Sequence, residues 1–72
     1  MEVTAMTAIA ENDIVRLTRD INHELLEGLV GIVLQCHQSS FDVLFPIPGK
    51  NLQAQLLRKD IEFLVGSKSL EN

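Results

Sequence analysis

Cys36 and His37 are the one adjacent pair in this chain with reactive potential. A thiolate beside an imidazole could serve as nucleophile and base, or the two could hold a soft metal ion. They lie in an extended apolar segment, however, where adjacent side chains point to opposite faces of a strand, so one site cannot readily use both. Cys36 therefore reads as a small core residue and His37 as a surface one, because a buried free cysteine behaves as a small hydrophobe. His23, the second histidine, stands beside Glu24 in a polar stretch and reads as solvated. Asp42, Asp60, Glu24 and Glu27 could pair as general acid and base, yet no spacing among them draws two together, and they read as a wetted face. Gly28-Leu29-Val30-Gly31 lacks the Lys-Ser/Thr that completes a phosphate loop, so its glycines read as backbone devices. These residues point to no catalytic group, metal site, cofactor or small-molecule substrate, and the expectation is a non-enzymatic protein.

The elements that position these residues must come from a short chain. At 72 residues there is room for one domain. Below about 70–80 residues a single core rarely contributes more than about 3–5 kcal/mol, which makes pairing with another chain or with a copy of itself a natural expectation. With 46% hydrophobic residues the chain is too apolar for disorder, and its apolar runs fall short of the roughly 20 residues of a membrane-spanning helix. Six Lys plus Arg against ten Asp plus Glu leave a net charge of −4 without a basic block. Nucleic-acid binding draws its affinity from neutralised phosphates, so this balance points away from it. One cysteine rules out an internal disulfide, and the N-terminal residues lack the basic start and apolar core of a secretion signal, so the expected location is cytoplasmic.

Residues 1–11 have no clear period and read as a flexible arm, residues 12–65 as the folded domain and residues 66–72 as a polar tail. Val15 and Leu17 alternate with Arg16 and Thr18, which predicts a first strand with one wet face. Arg19 to Glu27 reads as a loop that tucks Leu25 and Leu26 over the core, with a helical turn at Asn22 to Leu26 as the alternative. Gly28 to His37 predicts a long central strand. If alternation holds, Val30, Ile32, Leu34 and Cys36 face one way and Gly31, Val33 and Gln35 the other, unless a bulge reverses the order. Gln38-Ser39-Ser40 turns the chain into a third strand whose Phe41, Val43 and Phe45 share the core face. Pro46 to Asn51 is expected to stop the sheet, with Pro48-Gly49 suited to a type II turn. Leu52, Ala54 and Leu56 mark a fourth strand, Leu57 to Asp60 a one-turn 3-10 connection, and Ile61 to Val65 a short closing strand. Five short strands at this spacing predict a small, strongly bent antiparallel barrel.

The order Asp13-Ile14-Val15-Arg16-Leu17, a loop, then Leu26-Glu27-Gly28-Leu29-Val30-Gly31-Ile32-Val33 resembles the opening of SH3-like barrels of the KOW type. The continuation through Phe41-Asp42-Val43-Leu44-Phe45 and Leu57-Arg58-Lys59-Asp60-Ile61-Glu62-Phe63-Leu64 is similar to short bacterial proteins of a domain-of-unknown-function family. That family is related in fold to the SH3-like domain of the nitrile hydratase β subunit. The resemblance covers roughly Glu11 to Val65 and implies an all-β, five-stranded SH3-like barrel with a 3-10 turn before the last strand. Asn12 stands where the family has glycine, and asparagine can adopt the same left-handed backbone. The basic loops of the nucleic-acid-binding KOW relatives are missing, so that role does not follow. SH3 domains that bind proline-rich peptides use an aromatic groove, and this chain has no Trp, no Tyr and three Phe.

The functional expectation is a protein-interaction module that binds another protein or itself. An accessory subunit of an enzyme or electron-transfer complex is the alternative, and KOW-type nucleic-acid binding the third reading. Candidate partner-contact residues are Ile32 and Leu34 on the central strand, with Glu24, Glu27, Ile47 and Lys50 on the loops, because loops on a rigid scaffold carry most recognition.

Overall fold

Alternating apolar residues build strands here as their period requires. The computed structural model describes residues 8–66. Five strands follow one another, β1 (Ile14–Leu17), β2 (Val30–Cys36), β3 (Phe41–Ile47), β4 (Lys50–Leu56) and β5 (Ile61–Val65), with a 3-10 turn at Arg58–Asp60 directly before β5. They hydrogen-bond in the order β4-β3-β2-β1-β5, each neighbour antiparallel. Among the described residues no ladder joins β4 to β5, so hydrogen bonding leaves these two strands as edges. The chain is thus all-β, with the expected five antiparallel strands and 3-10 turn. Residues 1–7 and 67–72, on which most of the predicted arm and tail fall, lie outside the described residues.

Every strand supplies the core. Val15 and Leu17, Val33, Val43 and Phe45, Leu56, and Ile61 are buried together with Leu25 from the loop after β1. Among the described residues no α-helix covers this face, and buried side chains from all five strands gather in one apolar cluster. Burying each such side chain contributes about 1.5–3 kcal/mol, which is large beside the stability expected of so small a domain.

The loop before β2 is held by side chains on its own backbone. Asp20 Oδ1 accepts the Glu27 N–H at 2.8 Å, and Asn22 Oδ1 accepts the N–H groups of Glu24 at 2.8 Å and Leu25 at 3.0 Å. These bonds turn Leu25 inward, while Leu26 is exposed, so one leucine of the expected pair covers the core. The residues of the alternative helical turn form a bend instead.

Three further expectations are corrected. β2 starts at Val30, because Gly28 sits in a turn at φ 92° and donates its N–H to the Leu17 carbonyl at 2.9 Å. β3 does not stop at Pro46 but runs through Ile47, and only Pro48-Gly49 form the turn into Lys50. Counting back from this two-residue turn, Pro46 and Asn51 form a non-hydrogen-bonded pair, so the missing N–H of Pro46 faces the side of β3 away from β4. β2 has already left β3 there, since their register ends at Ile32 opposite Leu44. Finally, the alternation of β2 breaks at a bulge: Val33 pairs with Val43 and Gln35 with Asp42, which leaves Leu34 as the extra residue. Both Leu34 and Gln35 are exposed, and Cys36 turns back to pack against the core. Cys36 therefore does not share a face with Val30, Ile32 and Leu34.

Candidate functional site

The outer face of the sheet carries a row of aliphatic side chains that no described element covers. Val65 stands opposite Ile14, Ile14 opposite Ile32, and Ile32 opposite Leu44, before the row ends on Gln53. Facing residues on one side of a sheet shield one another, which accounts for the partial burial of these four. None of them belongs to the core or packs against it. Around the row Val30 is 43% exposed, Leu34 39% and Leu64 37%. The strand irregularities matter here, since the β2 bulge pushes Leu34 outward and a second irregularity beside Ile14 brings Val65 into the row.

Polar groups border the patch on both sides. Arg16, opposite Val30 on one flank and Glu62 on the other, is ion-paired with Glu62. At the far end Gln35, Asp42 and Gln55 stand in register, and His37 Nε2 lies 2.9 Å from Asp42 Oδ2. Sequence reasoning missed that pair, although a short turn at Gln38 to Ser40 brings the strand ends together, with the His37 N–H donated to the Ser40 carbonyl at 2.8 Å. An apolar centre with a polar rim is the usual anatomy of a protein contact surface.

The structure divides the predicted contact residues. Ile32 is the middle of the apolar row and Leu34 lies on its flank. Glu24 and Lys50 meet each other in an ion pair that ties the loop after β1 to the β3–β4 turn, away from the row. Glu27 borders a shallow hollow of about 440 Å³ together with Arg16, Leu17, Thr18, Gly28 and Glu62. The hollow presents no activated nucleophile, since the Thr18 hydroxyl is donated to the Lys59 carbonyl at 2.9 Å. Ile47 shares the parity of Val43 and Phe45 and is half-buried, packed against the core rather than standing in the outer row.

Two aspartates read as solvated or left unremarked are buried. Asp60 is 3% exposed, and every polar group on it is engaged. Its N–H goes to the Leu57 carbonyl at 2.9 Å, its carbonyl accepts the Thr18 N–H at 2.9 Å, and its carboxylate accepts the Leu57 N–H at 3.1 Å and Arg19 Nε at 2.8 Å. Burial works against the charge, but the Leu57 N–H and the Arg19 guanidinium outweigh it and hold the carboxyl below its ordinary value. Asp13 caps the entry to β1 by accepting the Ala10 N–H at 2.8 Å, and beside it Asn12 adopts φ 73°, the left-handed backbone expected of it. These are structural anchors that lock the ends of β1.

Cys36 donates to the Ile9 carbonyl at 3.5 Å, and burial, with Glu11 and Asp13 nearby, pushes its thiol up. It is held as a neutral thiol rather than as a nucleophile. Among the described residues no group of three or more His, Cys, Asp or Glu is placed to hold a metal ion, and no helix is long and apolar enough to cross a membrane. Comparisons with family models, with curated proteins and with solved structures find no match for this chain.

Proposed function

We propose that this chain is an SH3-like barrel acting as a non-enzymatic protein-interaction module, which offers the outer Val65–Ile14–Ile32–Leu44 row to an apolar surface of a partner protein. The strand order β4-β3-β2-β1-β5 and the 3-10 turn before β5 support the SH3-like reading, as does the central β2, which pairs with β1 through its first half and β3 through its second. The observation that carries the functional reading is the apolar row itself. Aliphatic side chains on the face away from the core add far less to folding than the buried cluster does, and contiguous apolar surface with a polar border marks an interaction site. The net charge of −4 favours a protein over a nucleic acid as the partner.

The test is capture from a native extract by immobilised protein, comparing the wild type with a Val30→Lys, Leu34→Lys double variant. Both positions are exposed, so the fold should survive, as the circular dichroism spectrum would confirm. Capture of a defined protein by the wild type and its loss in the double variant support the reading. Equal capture by both, or none by either, sinks it.

A further inference from the structure

The two edges of the sheet differ in how they are guarded. Open strand edges pair with other strands, and proteins ordinarily blunt them with charges, proline or bulges. β5 is guarded in this way: it is short, carries Glu62 and has an irregular register with β1 around Leu64. β4 has no such protection. Its register with β3 is unbroken from Lys50 to Leu56, it contains no proline, and its one charge, Lys50, is engaged by Glu24.

The groups on this edge follow from the hairpin. Ile47 and Lys50 close a two-residue turn and so form a hydrogen-bonded pair, after which the pairs alternate. Leu52, Ala54 and Leu56 hydrogen-bond to β3. Asn51, Gln53 and Gln55 therefore direct both N–H and C=O away from β3, to the open side. All three are exposed, and among the described residues no other backbone group bonds to them. On the inner face Leu52 and Ala54 remain half-buried, although the residues they face across the ladder, Phe45 and Val43, are fully buried.

We infer that a second copy of this chain adds antiparallel to β4, with Gln53 against Gln53 on a two-fold axis. The sequence of the edge is self-complementary in that register and in no neighbouring one to the same extent. Asn51 then meets Gln55, Gln53 meets itself and Gln55 meets Asn51, so each outward-facing residue finds another outward-facing residue and every pair exchanges two hydrogen bonds. Shifting the axis to Leu52 or Ala54 leaves one of the three outside the ladder. Leu52 comes to lie beside Ala54 of the other copy, which extends the inner face over both. Leu57, 45% exposed just beyond β4, meets the Pro48-Gly49 turn of the other copy. No like charges meet along the seam, and an isologous contact of this kind closes as a dimer whose remaining edges are the two guarded β5 strands. The inference does not rest on the outer apolar row, and its test uses different residues.

The experiment is sedimentation velocity on the full chain over a dilution series, with backbone amide hydrogen exchange followed by NMR at the two ends of that series. The wild type should be a dimer at high concentration, with the Asn51, Gln53 and Gln55 amides protected there and released on dilution. Gln53→Lys places two like charges across the axis, and Gln53→Pro removes an N–H that the β3 ladder does not use. Each should weaken dimerisation at least about tenfold, while Leu34→Lys leaves it unchanged. If Gln53→Pro fails to fold, Gln53→Lys and the exchange pattern decide. A wild type that stays monomeric at all concentrations overturns the inference. So does a dimer in which the three amides exchange freely, or one that Gln53→Lys leaves intact.

Discussion

The two faces of this one sheet are built from the same kinds of residue and have different fates. Val33 and Leu34 are neighbours on β2, yet Val33 is fully buried and Leu34 is 39% exposed. The inner face is gathered into one buried cluster: Val15, Leu17, Val33, Val43, Phe45, Leu56 and Ile61 come from all five strands, with Leu25 from the loop after β1 packed among them. The outer face has no such enclosure. Val65, Ile14, Ile32 and Leu44 can shield only one another. Apolar type alone therefore does not say which face of a small sheet is core, and a domain this size has one interior to fill.

The largest break in this comparison should come from the place where the inner face is tightest. A Cβ at Gly31 would lie 2.7 Å from the Leu44 carbonyl oxygen and 2.7 Å from the Phe45 ring. The backbone oxygen cannot step aside without opening the β2–β3 ladder. Gly31→Val should destabilise the domain by about 3 kcal/mol or more, at the upper end of overpacking costs, and leave it largely unfolded at room temperature. Gly28→Ala makes the contrast, since its Cβ meets nothing within 4 Å and its penalty comes only from φ 92°. That costs about 1 kcal/mol, and urea melts of the two variants would separate the steric cause from the conformational one. Equal shifts would remove the distinction between a packing glycine and a turn glycine.

How much of this was legible in the sequence follows from what alternation can express. Val15 and Leu17, Val43 and Phe45, and Leu52, Ala54 and Leu56 obey period two without interruption, and their strands and facing were readable. Gly31 announced a close approach because a glycine inside an apolar strand has few other reasons to be there. The position of the bulge was not readable, since an inserted residue looks like any other aliphatic one, so the facing of β2 stayed conditional on alternation, while the reading of Cys36 as a small core residue agrees with its packing. Pro46 read as a sheet breaker because its tolerance depends on where β2 ends, which is a fact of tertiary register. Asp60 looked like one of several surface carboxylates: Arg19, which bonds its carboxylate, and the Thr18 N–H, which bonds its carbonyl, lie about forty positions away in sequence. Of the candidate contact residues, Ile32 and Leu34 reached the apolar patch through strand pattern, while the loop positions scattered because their placement depends on side-chain bonds such as Asn22 to Leu25.

Asp60 sits at the rim between the faces and should give the intermediate effect. Asp60→Asn removes the charge that Arg19 Nε and the Leu57 N–H stabilise in a buried position, at a cost of about 2 kcal/mol. Arg19 is itself largely exposed, so solvent screening keeps the cost from being larger. The folded carboxyl titrates below its ordinary value of 3.8, so the stability it contributes is fully present above that pH and is lost as pH falls through the depressed folded value. The gap between wild type and variant should therefore be constant from about pH 5 to 7 and shrink below pH 3.8. A gap that stays constant down to pH 2 would mean that the charge of Asp60 is not what holds the 3-10 turn against β1.

The smallest effect should be on the outer face, and its smallness is what distinguishes a surface kept for contact from one kept for folding. Leu34 occupies a bulge, hydrogen-bonds into no regular pair position and has more than a third of its surface in water. Leu34→Ser removes apolar area of which more than a third already lies in water, so it should cost no more than about 1 kcal/mol in a urea melt. The same substitution should measurably weaken any partner that covers Ile32, because a side chain flanking a contact centre excludes water from it. A destabilisation of Leu34→Ser comparable to that of Asp60→Asn would make Leu34 part of the fold. The apolar row would then lose one of its three exposed flanking residues as a contact, leaving Val30 and Leu64 beside it.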